Sequence, residues 1–175
     1  MERARQGQPS HASGGPARQK MNEAHMKRAV ALARRGMELD CGGPFGAVVV
    51  RDGAIVGEGW NEVLRTKDPT AHAEVVAIRS ACRKLATYDL SGCEIYASCE
   101  PCPMCLGAIY WSRIGKVYFA VNRHDAAGIE FRDEFIYEEL AKPFDRRALP
   151  MVQVPCDGAL DTFVAWMQRA GRVTY

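Results

Sequence analysis

Two short motifs in the middle of the chain carry the side chains best suited to chemistry. They are His72-Ala73-Glu74 and Pro101-Cys102-Pro103-Met104-Cys105. One imidazole and two thiolates are good ligands for Zn²⁺, and three protein ligands leave the fourth tetrahedral position to solvent. Water there becomes acidic enough to supply hydroxide near neutral pH, and a nearby carboxylate can take its proton. We therefore expect His72, Cys102 and Cys105 to bind zinc, and Glu74 to transfer protons.

The same pattern also permits a closed, structural zinc site. A bare C-x-x-C occurs in redox pairs and zinc ribbons as well as in catalytic centres. Cys99, which precedes the C-x-x-C, could supply a fourth protein ligand. The alternative is a small side chain packed at the end of a strand. We favour this alternative because Glu74 would have no role in a closed site.

Length and composition indicate one enzyme-sized domain. The chain has 175 residues, of which 47% are hydrophobic, as is ordinary for a single soluble core. Residues 1–20 are rich in Gly, Pro, Ser, Gln and Ala, and we expect a disordered tail before a domain over 21–175. The chain has neither a membrane-length apolar stretch nor a signal-peptide pattern, and its seven cysteines suit a reducing compartment. A cytoplasmic protein is expected.

Charge argues against a nucleic-acid partner. The chain carries 23 basic and 21 acidic side chains, a net charge of +2. The tail contributes +3 of this total, from Arg3, Arg5, Arg18 and Lys20 against Glu2. The remaining 19 basic and 20 acidic side chains give a net of −1, which is not the charge of a polyanion-binding surface.

The hydrophobic pattern alternates helical and extended segments. It predicts helices over about 22–40, 71–86, 103–111, 133–140 and 160–169, and strands over 45–51, 54–60, 93–98, 117–121 and 151–154. Asp52-Gly53 should join the first two strands as a hairpin, and Thr70 should cap the helix that carries the histidine motif in its first turn. The predicted fold class is α/β. It is a three-layer α/β/α sandwich with a mixed five-stranded sheet, mostly parallel with one antiparallel edge.

The two motifs resemble those of the cytidine deaminase-like superfamily, where H-x-E followed by P-C-x-x-C marks zinc-dependent nucleobase deaminases. Over about residues 22–175 the chain is similar, more narrowly, to the small zinc-dependent guanine deaminases of bacteria. The segments that carry this resemblance are 43–47, 68–74, 98–111 and 133–137, with a tyrosine at the end of the chain. The zinc motifs alone indicate only the superfamily. Ile109-Tyr110-Trp111 and Phe135-Ile136-Tyr137 favour the guanine deaminases.

The resemblance implies a cytidine deaminase-like fold that uses zinc-activated water to convert guanine to xanthine and ammonia. Glu74 would shuttle the proton to the ring nitrogen and then to the leaving amine. Asn61 would hydrogen-bond the base edge, Asp133 would accept N–H protons from guanine, and Phe45 would stack on the ring. The resemblance also implies a homodimer with a swapped C-terminal segment, in which Tyr175 completes the partner's pocket.

Each of these substrate-contact residues also has a purely structural interpretation. Asp133 could start a helix, Asn61 could cap a turn and Phe45 could belong to the core. A tyrosine at the last position is usually a frayed end. For these four residues the functional interpretation rests on the resemblance.

Other functions stay open at this stage. Glu130 and Arg132 depart from the family pattern and could alter the pocket rim, so guanosine and amino-triazines are alternative substrates. An adenosine deaminase acting on tRNA shares the metal motifs but needs a basic groove, to which Arg169 and Arg172 could contribute. A non-catalytic zinc-binding protein of the same fold would not need Glu74.

Overall fold

The computed structural model describes residues 22–174. The tail predicted over 1–20 and the terminal Tyr175 lie outside the described residues. The helices are α1 (Glu23–Glu38), α2 (Val63–Thr66), α3 (Ala73–Leu85), α4 (Pro103–Trp111), α5 (Arg123–Ala127), α6 (Glu134–Ala141) and α7 (Ala159–Gln168), with a 3₁₀ turn at Phe144–Arg146. The strands are β1 (Gly46–Arg51), β2 (Ala54–Trp60), β3 (Cys93–Cys99) and β4 (Lys116–Val121). None of the described helices has the length and apolarity needed to cross a bilayer.

The described sheet has four strands in the order β2-β1-β3-β4. The hairpin pair β1–β2 is antiparallel as predicted, and so is β1–β3, while β3–β4 is parallel. The sheet is therefore mixed, but the expectation that it is mostly parallel is wrong. Whether β3 runs with or against β1 depends on how the chain returns over α3, which the local pattern of either strand does not encode.

The fifth strand predicted over 151–154 is also wrong. These residues are not in a strand, and Val152 and Val154 are 81% and 78% exposed. Their apolar alternation is typical of a strand, but a strand forms only where a neighbouring backbone satisfies its hydrogen bonds. No described strand pairs with this segment.

Helices cover both faces of the sheet, as expected for three layers. Along β1, Ala47 and Val49 pack against α3, whereas Val48 and Val50 pack against α1. Five of the six β1 residues are buried, which explains the continuous apolar run in the sequence. Full burial of each valine contributes about 1.5–3 kcal/mol to folding.

Two glycines bring helix α3 unusually close to strand β2. A Cβ atom at Gly59 would lie 2.5 Å from the carbonyl oxygen of Ala73, and one at Gly57 would lie 2.4 Å from that of Ala77. Only glycine allows backbone to rest on backbone at this separation. The contact fixes the height of the α3 N-terminus above the sheet.

The start of α3 differs from the prediction by two residues. His72 is the N-cap residue, with an extended backbone at φ −69° and ψ 154°, and the helix begins at Ala73. The prediction that Thr70 caps this helix is wrong because its hydroxyl donates to Asp68 Oδ1 at 2.7 Å in a local turn. Glu74 does lie in the first helical turn.

Candidate metal centre and substrate cavity

The N-terminal ends of α3 and α4 meet at the predicted metal ligands. His72 and Cys102 are the N-cap residues of these helices, and neither side chain caps its own helix. Pro103 occupies the first position of α4, where its missing N–H costs nothing. His72 Nδ1 lies 3.6 Å from Cys102 Sγ and 3.5 Å from Cys105 Sγ. Both helices therefore direct a donor atom to the same point.

The donor set fits Zn²⁺. Tetrahedral zinc, with Zn–S about 2.3 Å and Zn–N about 2.0–2.1 Å, places nitrogen and sulfur ligands roughly 3.6 Å apart. The two observed N–S separations are 3.6 Å and 3.5 Å, and all three donor atoms lie within 4.8 Å of one another. Within residues 22–174 no other group of three His, Cys, Asp or Glu side chains has this property.

Cys99 does not join this group of ligands. Its thiol points to the carbonyl oxygen of Asn122, 3.8 Å away, and burial raises its pKa to about 11. Its sulfur is not among the donor atoms that lie within 4.8 Å of one another. The arrangement offers three protein side chains that could hold a metal ion, the number found in catalytic rather than structural zinc sites.

Glu74 is a buried carboxyl group beside the ligands. It is 7% exposed, and its Oε2 lies 3.4 Å from Cys105 Sγ, which donates to it. Burial raises the pKa of Glu74 to about 7. A carboxyl group in such a position can accept and release protons near neutral pH.

The two ligand thiols have opposite acidities. The neighbouring Cys105 and His72 side chains lower the pKa of Cys102 to about 4, so Cys102 carries the thiolate. The neighbouring Cys102 and burial raise the pKa of Cys105, which keeps the proton that it donates to Glu74. The hydrogen bond to Cys102 raises the pKa of His72. The cluster thus places a thiolate where a cation is expected.

A cavity of about 480 Å³ opens from the ligands to the surface. Glu74 lines it together with three predicted substrate-contact residues, Phe45, Asn61 and Asp133. These three residues come from the chain just before β1, just after β2 and at the start of α6. The structure therefore brings them to the metal group, while the predicted role of each stays a prediction. Tyr175, the fourth, lies outside the described residues.

Asn61 has one structural partner and one unused polar group. The residue is 4% exposed, and its Oδ1 accepts a hydrogen bond from the backbone N–H of Val63 at 3.1 Å. This bond fixes the amide orientation. Among the described residues no group accepts from Nδ2, so its two N–H donors are available to a ligand in the cavity.

Asp133 is the N-cap residue of α6, but its carboxylate makes no capping hydrogen bond. Desolvation by burial raises its pKa. A carboxylate that does not serve its helix and lines a cavity can accept hydrogen bonds from a ligand.

Residues 19–121 match the family described as the cytidine and deoxycytidylate deaminase zinc-binding region. The chain belongs to this family of zinc-binding deaminases. It is 52% identical to the guanine deaminase of Bacillus subtilis over 154 residues, which cover 88% of this chain and 99% of that protein. The X-ray structure of that enzyme matches with a TM-score of 0.85 over 89% of this chain and 99% of that chain. The resemblance to bacterial guanine deaminases is thus confirmed.

Two further relatives are more distant from this deaminase. The guanine deaminase of Nitrosomonas europaea matches with a TM-score of 0.62 at 36% identity, covering 65% of each chain. The tRNA-specific adenosine deaminase of Aquifex aeolicus is 47% identical over 107 residues, which cover 61% of this chain and 70% of that protein.

Phe131 and Glu100 are cavity residues of this deaminase that the sequence analysis does not assign to the site. The ring of Phe131 packs edge-to-face on Phe45, with centroids 4.8 Å apart and planes at 89°. Gly43 makes room for both rings, since a Cβ there would lie 2.7 Å from Phe131 and 2.9 Å from Phe45. Glu100 also lines the cavity. Phe131 lies between Glu130 and Arg132, the two residues that depart from the family pattern, and this departure is the one sequence signal that points to it.

Proposed function

We propose that this protein is a guanine deaminase, which hydrolyses the C2 amine of guanine to give xanthine and ammonia. One observation carries the proposal: the zinc-ligand group and the buried Glu74 share a cavity with Asn61, Phe45 and Asp133. The 52% identity to the Bacillus subtilis guanine deaminase over nearly the whole of both chains supports the same substrate.

The extent of the alignments supports guanine over tRNA adenosine. An alignment of 154 of the 175 residues must include Asp133, which lies beyond the zinc-binding region that ends at residue 121. The tRNA-specific relative from Aquifex aeolicus aligns over only 107 residues. The part of this chain that supplies one cavity wall is therefore shared with a guanine deaminase.

The reaction needs a nucleophile and a proton carrier. His72, Cys102 and Cys105 would hold zinc, which when bound supplies a Lewis acid that makes water a nucleophile near neutral pH. Glu74 takes a proton from the attacking water and delivers it to the ring nitrogen next to C2. The carboxylate then takes the second proton from the hydroxyl group added at C2 and passes it to the amine, which leaves as ammonia while the C2 carbonyl of xanthine forms.

The cavity residues recognise the base. Asn61 Nδ2 donates to an acceptor on the base edge, and the Asp133 carboxylate accepts from ring N–H groups. Phe45 and Phe131 pack against the ring through an aromatic pair that is already assembled. A base that leaves the buried Asn61 amide unpaired loses about 1–3 kcal/mol of binding free energy.

The test is ammonia release by the zinc-loaded protein from guanine, guanosine, cytidine and an adenosine-containing tRNA anticodon stem-loop, with each product identified. We expect xanthine from guanine. Activity on guanosine alone would mean that the cavity admits a sugar, and activity on the stem-loop alone would move the protein to the tRNA enzymes.

A matched variant tests the mechanism separately. Glu74→Gln keeps the size of the side chain but cannot carry the proton, so turnover should be lost while zinc stays bound. Zinc content and ammonia release are measured on the same preparation. Retained turnover would remove Glu74 from the mechanism.

We further propose that the protein is a homodimer that exchanges its C-terminal segments. Helix α7 exposes several large apolar side chains, among them Leu160 at 73%, Phe163 at 69% and Trp166 at 41%. An isolated helix with an exposed apolar face is unstable in water, so another surface must cover it. The edge strand β4 also exposes Phe119 and Val121. A second copy of this chain offers both surfaces at once.

In this dimer the terminal Tyr175 acts in the partner's cavity. The assignment is tested by mixing two inactive variants, Glu74→Gln and Tyr175→Ala, under conditions that exchange subunits. If Tyr175 acts in trans, the mixed dimer contains one intact site and activity returns. If it acts within its own chain, every site stays defective and no activity returns.

We also place the protein in the cytoplasm, as an enzyme of purine catabolism. All seven cysteines are free, and two of them are needed as zinc ligands. Such thiolates persist in a reducing compartment. Cell fractionation followed by the guanine assay tests this location.

A further inference from the structure

The loop that joins β3 to α4 is held by side chains from two later elements. This loop, residues 100–102, ends in the metal ligand Cys102. The side chains that hold it are Arg123 from α5 and Tyr137 from α6. Neither residue is part of the zinc motifs.

Tyr137 contacts the loop through one hydrogen bond. Its hydroxyl donates to the carbonyl oxygen of Pro101 at 2.7 Å. Pro101 and Cys102 are both buried, and the phenol ring of Tyr137 is half-buried. The bond lies at the inner end of helix α6, one turn after Asp133.

Arg123 binds the other end of the loop. Its Nε donates to Glu100 Oε1 at 3.2 Å, its Nη2 donates to the same oxygen, and its backbone N–H donates to Oε2 at 3.0 Å. The guanidinium group also lies over the Tyr137 ring, 4.0 Å from the ring centroid. Arg123, Glu100, Pro101 and Tyr137 therefore form one connected clamp.

We propose that Tyr137, supported by Arg123, is a positioning residue that holds the Cys102 ligand in a fixed position relative to Asp133 at the start of α6. The proposal rests on the proposed function, since it assigns Asp133 at that end to the bound base. Tyr137 acts through Pro101 and touches neither the substrate nor the metal.

The restricted backbone of Pro101 explains why one hydrogen bond from the Tyr137 hydroxyl is sufficient to orient Cys102. The ring of Pro101 fixes its φ near −65°, so ψ is the one soft backbone angle that remains at this residue. Rotation about ψ turns the Pro101 carbonyl and changes the direction in which Cys102 leaves. The hydrogen bond from Tyr137 fixes that carbonyl, and with it the direction of the ligand. Outer groups that orient metal ligands typically affect metal affinity or activity by about 10–100-fold.

The clamp also sets the distance between the zinc ligand Cys102 and the proposed base-binding residue Asp133. Asp133 and Tyr137 lie one helical turn apart at the start of α6. Anchoring Tyr137 to Pro101 therefore locates Asp133 relative to Cys102. A base bound at Asp133 is then held at a fixed position relative to the zinc ligands, and a misplacement of about 1 Å can cost 10²-fold in rate.

The test compares Tyr137→Phe with the wild-type protein and with Tyr110→Phe. The first variant removes the hydroxyl but keeps the ring under Arg123. The second removes an exposed hydroxyl from α4 that has no hydrogen-bond partner among the described residues. Measured quantities are kcat and KM for guanine, zinc content, melting temperature and the visible absorption bands of the Co²⁺-substituted protein.

We expect Tyr137→Phe to lower kcat about tenfold with a change in KM of less than about threefold. Its zinc content and melting temperature should stay close to wild type, and the Co²⁺ bands should shift because the Cys102 thiolate is reoriented. Tyr110→Phe should match the wild type in every measurement.

A double-variant cycle tests the connection to Arg123. Arg123→Lys keeps the charge but loses the planar fork and the stacking on the ring. If the two residues form one clamp, the variant carrying both changes loses less activity than the product of the two single losses.

A wild-type kcat in Tyr137→Phe would overturn the proposal. So would an unchanged Co²⁺ spectrum together with a loss of activity that only follows a fall in melting temperature. Multiplicative losses in the double variant would overturn the connection to Arg123. Failure of the wild-type protein to deaminate guanine would instead overturn the proposed function. The Co²⁺ comparison would still test the positioning of Cys102 in that case.

Discussion

Replacement of Gly59 by alanine tests whether the contact between β2 and α3 positions the reaction site. The added Cβ would lie 2.5 Å from the Ala73 carbonyl oxygen, 2.6 Å from the Ala77 nitrogen and 2.9 Å from Val76 Cβ. Ordinary contacts begin near 3.4 Å, so the helix must move outward by about 0.9 Å. Ala73 lies between His72 and Glu74, so this movement displaces a ligand and the proton carrier together.

The expected loss of stability follows from the overlap. Overpacking of this kind costs typically 1–3 kcal/mol, and we take about 2 kcal/mol for a clash with backbone atoms that cannot rotate away. For a chain of this length that corresponds to a fall of about 4–8 °C in melting temperature. A shift of about 1 Å at the reacting groups should also lower kcat/KM for guanine by up to about 10²-fold.

The adjacent inward-facing glycine of β2 provides a matched control. A Cβ at Gly57 would lie 2.4 Å from the Ala77 carbonyl oxygen and 2.6 Å from the Ala81 nitrogen, which is nearly the same clash one turn further from the site. Gly57→Ala should therefore lose similar stability in urea unfolding but much less kcat/KM. Equal loss of activity in both variants, or a fully stable Gly59→Ala, would refute the reasoning.

Three further predictions concern the zinc ligands, a helix and an ion pair. Cys105→Ala should lose most bound zinc by metal analysis whereas Cys99→Ala should keep it, and zinc loss from Cys99→Ala would restore the closed-site alternative. Gly107→Ala should raise the free energy of unfolding in urea by about 0.4–1 kcal/mol, because nothing lies within 4 Å of the added Cβ and helix α4 loses a flexible residue. Hydrogen bonds from Ser91 and Arg113 lower the pKa of Asp89 to about 2 from 3.8, so its stabilisation is complete above about pH 4 and disappears as the pH falls through 2. Asp89→Asn should melt below wild type at pH 7, with the difference shrinking between pH 4 and pH 2; a pH-independent difference would contradict this linkage.

Prediction from sequence succeeded where chemistry is encoded locally. The spacing of His72 and Glu74, and of Cys102 and Cys105, fixes their relative positions within one helical turn. Their residue types indicated zinc before any tertiary contact was known. The five longer helices and the first four strands follow from apolar periodicity, with ends that differ by a few residues.

The errors arose where the local pattern is too short or has a competing interpretation, or where distant segments decide the outcome. The short helices α2 and α5 have too few residues for a periodic signal. Val152 and Val154 have the pattern of a strand but no strand beside them. Thr70 has the chemistry of an N-cap, but Asp68 competes for its hydroxyl.

The sequence by itself therefore determined the family resemblance and predicted the zinc ligands and the proton carrier, because these depend on side-chain identity at short spacing. Only the tertiary structure decided that α3 and α4 point both ligand groups to one place and that Asn61 Nδ2 lacks a structural partner. It alone paired Phe131 with Phe45 and joined Tyr137 to Pro101. These contacts depend on how the chain returns over the sheet, and no local pattern specifies that path.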